Sequence, residues 1–462
     1  MADVKSRVNV HSKTTVVSSK PIGPGKVHRF SALDHATGLH TLHIIFYYRT
    51  NPFHGSNYSF LDSFWVSLSE VLCLYPQSTG RLHRGEDGNW FVKCNDAGVR
   101  MLRATVGATL DEWLRSADAT EERDLTVWED MPDEPDIWSP FRIQINDFEG
   151  GGVAIGLSCT HMHADPTCAT TLIKSWAEVH QGVPLAHPPL TLPLAPRRCL
   201  SPNTDTKSIK YYATKSKAET VSVKMATATF SFPDSAIKQR LIEVHEKCPD
   251  ANPFDFLAAL FWMRVVRLKE PTHDHTSSLS ICTDFRKLMD APLPYGYFGN
   301  ALHFSLLSLD SEILDNGRLG HVVEMVHNHV AGLAEEEFWS AIDGLESQKE
   351  EMGQYAAPFR MYGPELTCVN MEHMIIPTGA NESSSYQSLM YAAMFKKDEK
   401  PFHVTYHVGN VEGEGLILVV PSPEKGLSRR VTVTLPEEQI AKLCEDQALL
   451  DLEPTMLISG RK

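Results

Sequence analysis

No stretch of this chain approaches the roughly 18 consecutive apolar residues that a membrane-spanning helix needs, so any membrane association is expected to come through a partner or a surface patch. The opening residues, Met-Ala-Asp-Val-Lys-Ser-Arg, carry no apolar core of signal-peptide type. There is no C-x-x-C pair. The nine cysteines are scattered from Cys73 to Cys444, an odd and unpatterned set that argues against a disulfide framework and for free thiols in a reducing compartment. Basic charge is also scarce: 43 Lys and Arg face 58 Asp and Glu, a net charge of −15. Phosphate contacts need clustered Lys and Arg, so no nucleic-acid partner is expected. No internal repeat is visible. The resulting expectation is a cytosolic protein.

At 462 residues and 42% hydrophobic composition, the chain exceeds one ordinary core and is expected to form two domains. Pro184, Pro188, Pro189, Pro193, Pro196 and Pro202 crowd into a segment without periodicity. This marks residues 184–218 as a semi-rigid crossover between units spanning 1–183 and 219–462. Residues 1–25 read as a polar, weakly structured arm. Thr41–Tyr48, Thr220–Phe232, Ser278–Thr283 and Val431–Leu435 read as strands. Phe402–His407 and Gly415–Val420 flank a Gly-rich turn and read as a hairpin. Asp62–Tyr75, Cys168–His180 and Leu319–Leu333 show helical spacing, and Asn252-Pro253 is a cap and first-turn pair that opens another helix. Residues 334–360 are acidic and ambiguous. Mixed strands and helices in both halves predict α/β or α+β layers.

The most informative stretch is His161-Met162-His163-Ala164-Asp165. Before it, Val153, Ile155, Leu157 and Cys159 alternate with Ala154, Gly156, Ser158 and Thr160, the period of a strand with two unlike faces. His161 falls where that strand should end, and Pro166 turns the chain into a loop at Asp165. An imidazole there, with a carboxylate four residues on, has the character of a positioned general base. A lone H-x-x-x-D also arises by chance as a loop histidine beside a turn-forming aspartate. Clustered His and Asp also suggest zinc, but a metallo-hydrolase signature wants His directly after the Asp. Pro166 stands there and cannot ligate, so no metal is expected. A second motif, Pro294-Tyr-Gly-Tyr-Phe-Gly-Asn-Ala301, follows Asp284-Phe-Arg286; its glycines suggest a tight backbone approach.

Taken in order, these blocks resemble the plant BAHD acyltransferases, the acyl-CoA-dependent H-x-x-x-D family, along nearly the whole chain. Ser31-Ala-Leu-Asp34, Tyr75-Pro-x-x-Thr-Gly80-Arg81-Leu82 and Cys94-Asn-Asp-x-Gly-Val99 are similar to its N-terminal blocks, and Gly296-Tyr-Phe-Gly-Asn-Ala301 to a diagnostic segment. The resemblance implies two chloramphenicol-acetyltransferase-like domains joined by a crossover loop, with a channel between them that admits coenzyme A and the acceptor. It implies a segment near 370–395 packed with the N-terminal domain, and a monomer. It makes His161 the general base and Asp165 a structural support turned toward an arginine, for which Arg286 is the candidate. Acyl-CoA would be substrate or ligand, with no permanently bound cofactor. Tyr297, Phe298, Gly299 and Asn300, with Thr367 and Asn370 as oxyanion donors, would line the channel.

The chain departs from the family at two places. Pro166 replaces the usual glycine after the aspartate. The second signature, D-F-G-W-G before Lys-Pro, is replaced by Phe395-Lys-Lys-Asp-Glu399 ahead of Lys400-Pro401. Together with Tyr362-Gly-x-x-Leu-Thr367-x-x-Asn370 and Val431-Thr-Val-Thr-Leu-Pro-Glu-Glu438, this resembles the eceriferum/glossy branch of plant wax synthesis. That branch implies a role in very-long-chain acyl-CoA elongation beside a condensing enzyme of the fatty acid elongase, at the endoplasmic reticulum surface. The alternative is an O- or N-acyltransferase acting on a plant alcohol or amine.

Overall fold

The computed structural model describes residues 6–53, 60–191, 194, 207–215, 223–269, 275–355, 358, 360–377, 386–424, 426–458 and 460. Two mixed sheets dominate. The six-stranded sheet runs, edge to edge, Val8–Val16, Val99–Thr109, Phe141–Glu149, Val153–Thr160, Thr41–Tyr48 and His403–Val408. The seven-stranded sheet runs Leu302–Asp310, Thr276–Asp284, Leu366–Asn370, Leu416–Pro421, Arg429–Pro436, Met225–Phe232 and Thr455–Leu457. The chain is an α/β protein of two such domains.

Each sheet buries apolar side chains against helices. On the central strand Leu416–Pro421, Ile417 and Val419 face one core, built with helix Pro253–Leu268. Leu416, Leu418 and Val420 face a second core, which also holds Ile44, Phe46, Ile155 and Leu157 of the other sheet and Trp176 of helix Pro166–Gln181. The two-residue strand period thus puts one strand in both interiors. The predicted cap at Asn252 forms, with its side chain accepting from Phe254 and Asp255 N–H groups.

Two expectations, the weakly structured arm and the hairpin, are corrected, and two further segments show structure that the sequence left open. The N-terminal arm is not unstructured: Val8–Val16 is an edge strand paired antiparallel with Val99–Thr109. Its burial alternates only weakly, which is why its polar sequence read as an arm. Residues 335–352 form one helix that buries Phe338, Trp339, Ile342 and Leu345 under an acidic outer face. The Pro-rich crossover contains a helix, Lys207–Lys215, that buries Tyr211, Tyr212 and Lys215; Pro193, Pro196 and Pro202 lie outside the described residues. The expected hairpin does not form. His403–Val408 pairs with Thr41–Tyr48 in the six-stranded sheet, while Leu416–Pro421 pairs with Leu366–Asn370 and Arg429–Pro436 in the other. A Gly-rich turn that reverses one ladder and one that crosses between sheets carry the same local chemistry. Just before that crossing strand, the Tyr48 hydroxyl donates to Ala393 O at 2.7 Å, and Phe395 packs edge-on against Trp176.

Candidate active site

Strand Val153–Thr160 is buried on both faces. Gly156 sits where a Cβ would lie 2.2 Å from the Leu125 carbonyl oxygen, which is why the second face of the strand carries small residues. The strand ends at Thr160, and a short turn carries His161 to Asp165. Asp165 has the extended backbone that Pro166 imposes, but no loop follows: it is the N-cap of helix Pro166–Gln181, with Pro166 in the first turn, where its missing N–H is no loss. Asp165 Oδ1 accepts from the Cys168 N–H at 2.9 Å.

The other carboxylate oxygen reaches across to the second domain. It accepts from the Ala301 N–H at 3.0 Å and from Arg286 Nη1 at 2.8 Å, with both side chains fully buried. Arg286 also pairs with Asp284 and donates through Nη2 to Gly299 O at 3.1 Å. Burial pushes the Asp165 carboxyl up, but the guanidinium and the two backbone N–H groups outweigh it and hold the carboxyl below the usual range. A second tie lies beside the first: Asp34 Oδ1 accepts from Asn300 N and Nδ2 at 2.8 and 2.7 Å. Asn300 Nδ2 in turn donates to the His161 carbonyl at 2.8 Å. The Asp165 carboxylate therefore holds the two domains together.

His161 is fixed at its backbone, donating from N–H to His40 O at 2.9 Å. Its ring is closed off from solvent, with 0% exposure. Nε2 shares a 2.8 Å hydrogen bond with the Tyr362 hydroxyl, a residue the sequence reading did not pick for the site. Nδ1 is buried with no hydrogen-bond partner among the described residues. Burial lowers the imidazole's affinity for a proton and raises the phenol's hold on its own, so a neutral Nε2 fits this contact as the acceptor of a hydrogen bond from the Tyr362 hydroxyl. His163 points elsewhere, its ring edge-on to Phe30 and Phe141.

The expected channel lining is not open surface. Tyr297, Phe298 and Asn300 are 2%, 3% and 0% exposed. Gly299 takes part in the Arg286 and Cys168 contacts, and Phe298 packs on Tyr75. Thr367 is buried within its strand, and Asn370 Oδ1 accepts from the Glu372 N–H at 3.0 Å to cap a short turn. Gly299 and Asn300 are thus engaged in the joint between the domains, while Thr367 and Asn370 belong to one strand of the seven-stranded sheet. A cleft of about 560 Å³ does open between the sheets, lined by Thr41, Trp128, Thr227, His407, Gly409 and Thr434 among others. Its Gly409 carbonyl meets His40 Nδ1 at 3.1 Å, and the His40 ring abuts Tyr362 at 4.9 Å. The His40 ring thus stands in contact with both the Gly409 carbonyl of this cleft and Tyr362. In the segment that replaces D-F-G-W-G, Phe395 is buried against Phe53 and Trp176. Asp398 takes the left-handed conformation (φ 63°) that a glycine would hold more easily.

Two sheets meeting at a buried H-x-x-x-D clasp define an acyltransferase-type architecture. The chain belongs to the Transferase family, the BAHD acyltransferases, whose profile matches residues 6–450. It is 24% identical to Protein ECERIFERUM 2 of Arabidopsis thaliana, over 94% of this chain and 96% of that protein. It is equally 24% identical to Hydroxycinnamoyltransferase 1 of Oryza sativa subsp. japonica, over 87% and 91%. Among solved structures, vinorine synthase superposes with a TM-score of 0.73 at 18% identity, covering 98% of this chain and 100% of that one. F. graminearum TRI101 complexed with coenzyme A and T-2 mycotoxin superposes with a TM-score of 0.69 at 13% identity, covering 94% and 100%. Among the described residues no helix is long and apolar enough to cross a membrane.

Proposed function

We propose that this protein supports the elongation of very-long-chain fatty acyl-CoAs for cuticular wax, as an acyl-CoA-binding accessory to a condensing enzyme and without transferring acyl groups itself. The observation that carries this reading is the Tyr362 hydroxyl on His161 Nε2. In the closed structure that nitrogen is hydrogen-bonded within a sealed interior, so it is not open to the hydroxyl of an acceptor. The replaced D-F-G-W-G segment and the likeness to Protein ECERIFERUM 2 support the same reading. The coenzyme A held by the TRI101 neighbour supports acyl-CoA as the ligand. Recruitment to the endoplasmic reticulum would then come through the condensing enzyme.

A second reading, an O- or N-acyltransferase with His161 as base, is favoured by the intact clasp of Asp165 and Arg286 and by the hydroxycinnamoyltransferase relative. One substitution separates the two. In a wax-deficient plant carrying the His161→Ala protein, accessory action leaves the restored wax-chain lengths unchanged. Transfer chemistry loses roughly 10²–10⁴ in rate and restoration fails. Failure with a folded, normally abundant variant overturns the accessory reading.

A further inference from the structure

The Tyr362 ring is held from the crossover segment. Lys215, the last residue of the crossover helix Lys207–Lys215, is 1% exposed. Its ammonium donates to Met361 O at 3.0 Å and Gly363 O at 2.6 Å, the carbonyls on either side of Tyr362, and pairs with Glu365 at 2.5 Å. From the same helix, the Tyr212 hydroxyl accepts the Phe304 N–H at 3.1 Å, and the Phe304 ring packs edge-on against Tyr362 at 5.4 Å. One short helix of the interdomain connection thereby holds the backbone on both sides of Tyr362 and, through the Phe304 N–H, the strand residue whose ring packs on it. Glu365 is tied back to that helix as well, by Tyr211.

We propose that Tyr362 is a removable cap on His161, positioned by Lys215, so that displacement of the crossover helix opens the buried imidazole to ligand. The phenol oxygen occupies a hydroxyl site 2.8 Å from Nε2. A group that replaces it must, like the phenol, hydrogen-bond with Nε2. Lys215 touches neither His161 nor that site; it acts through the tyrosine loop. The cap is independent of whether the opened site only binds or also transfers an acyl group.

The test is carbethoxylation of His161 by diethyl pyrocarbonate in the full chain, read by peptide mass mapping, with exposed His11 and His275 as internal controls. Local opening governs the labelling of a buried ring, so loss of charge-assisted hydrogen bonds that hold the closed state raises the rate roughly tenfold or more. That rise is expected for Tyr362→Ala. It is also expected for the double variant Lys215→Met, Glu365→Gln, which removes both members of the ion pair and so leaves no unpaired charge. Lys215→Arg, which can still reach the carbonyls, keeps the slow rate. Tyr362→Phe keeps the ring but shifts the His161 Nε2 nitrogen resonance. Wild-type-like labelling in the folded double variant overturns the role of Lys215. Labelling of His161 in the native protein as fast as His11 overturns the cap. Neither result bears on wax-chain lengths in the complemented plant, so this proposal and the accessory reading fail separately.

Discussion

Arg286 is the most consequential single residue. It is fully buried, and two carboxylates, Asp165 and Asp284, meet its guanidinium. A buried ion pair adds little against an apolar substitute, but removing one partner strands charge in a dry interior. Arg286→Ala removes the guanidinium from both, leaving Asp165 without a charged partner while Asp284 keeps Thr167 and His373, and is expected to destabilise the protein by about 3–5 kcal/mol. Chemical denaturation read by tryptophan fluorescence measures this, and an unchanged midpoint rules the clasp out as a stabilising joint. Arg286→Lys does not restore stability, because an ammonium cannot bridge Asp165 and Asp284 while also reaching the Gly299 carbonyl. His161 ties into the joint both through its backbone and through the Nε2 bond to Tyr362, so the functional test above is read only on a His161→Ala protein shown to be folded.

Between residue and molecule, the crossover segment does more than connect. Beyond the helix that clamps Tyr362, Leu190 bridges to Tyr297, with Leu190 N–H donating to Gly296 O at 2.8 Å and Phe298 N–H donating to Leu190 O at 2.9 Å. The contact depends on Gly296, where a Cβ would lie 2.0 Å from the Pro188 carbonyl oxygen. Backbone cannot yield there as a flexible side chain would. Gly296→Ala is expected to lower stability by about 1–3 kcal/mol, as overpacking does, and to loosen the crossover from the segment that carries Asn300. Limited proteolysis near residue 190 should accelerate in this variant; a native-like digestion pattern and melting temperature would show that the crossover does not lean on Gly296.

At the scale of the whole molecule, neutral histidines buried in the interior set a pH dependence. Burial holds His40, His163 and His303 down to about 3 from an ordinary value of 6.5. Between those values the unfolded chain binds protons that the native protein refuses, so stability falls as pH drops below about 6.5. The melting temperature is expected to be clearly lower at about pH 5 than at neutral pH. The Asp165 carboxyl, held below its ordinary 3.8, contributes stability that is lost only under more acidic conditions, so it cannot account for this loss. Replacing His163 and His303 with glutamine should make the slope shallower. An equal slope in that variant would place the dependence on other groups.

Local features and the order of motifs were legible from the residues alone. Period-2 alternation before His161, the Asn252-Pro253 cap and the helical spacing of Leu319–Leu333 each depend on neighbours within one element, and each formed within a few residues of its expected place. The order of short blocks along the chain, more than any one of them, identified the family. The tertiary structure alone decided which distant segments meet. Asp34 stood in a recognised block, but nothing local marked it as the partner of Asn300. His403–Val408 has the pattern of a hairpin arm, and only the open edge at Thr41–Tyr48 made it a strand of the other sheet. Nor does any spacing bring Tyr362 to His161, 201 residues away in the chain. A hydrogen bond of that kind is made by packing two sheets around a common core, where burial leaves a polar atom no partner but the one the fold delivers.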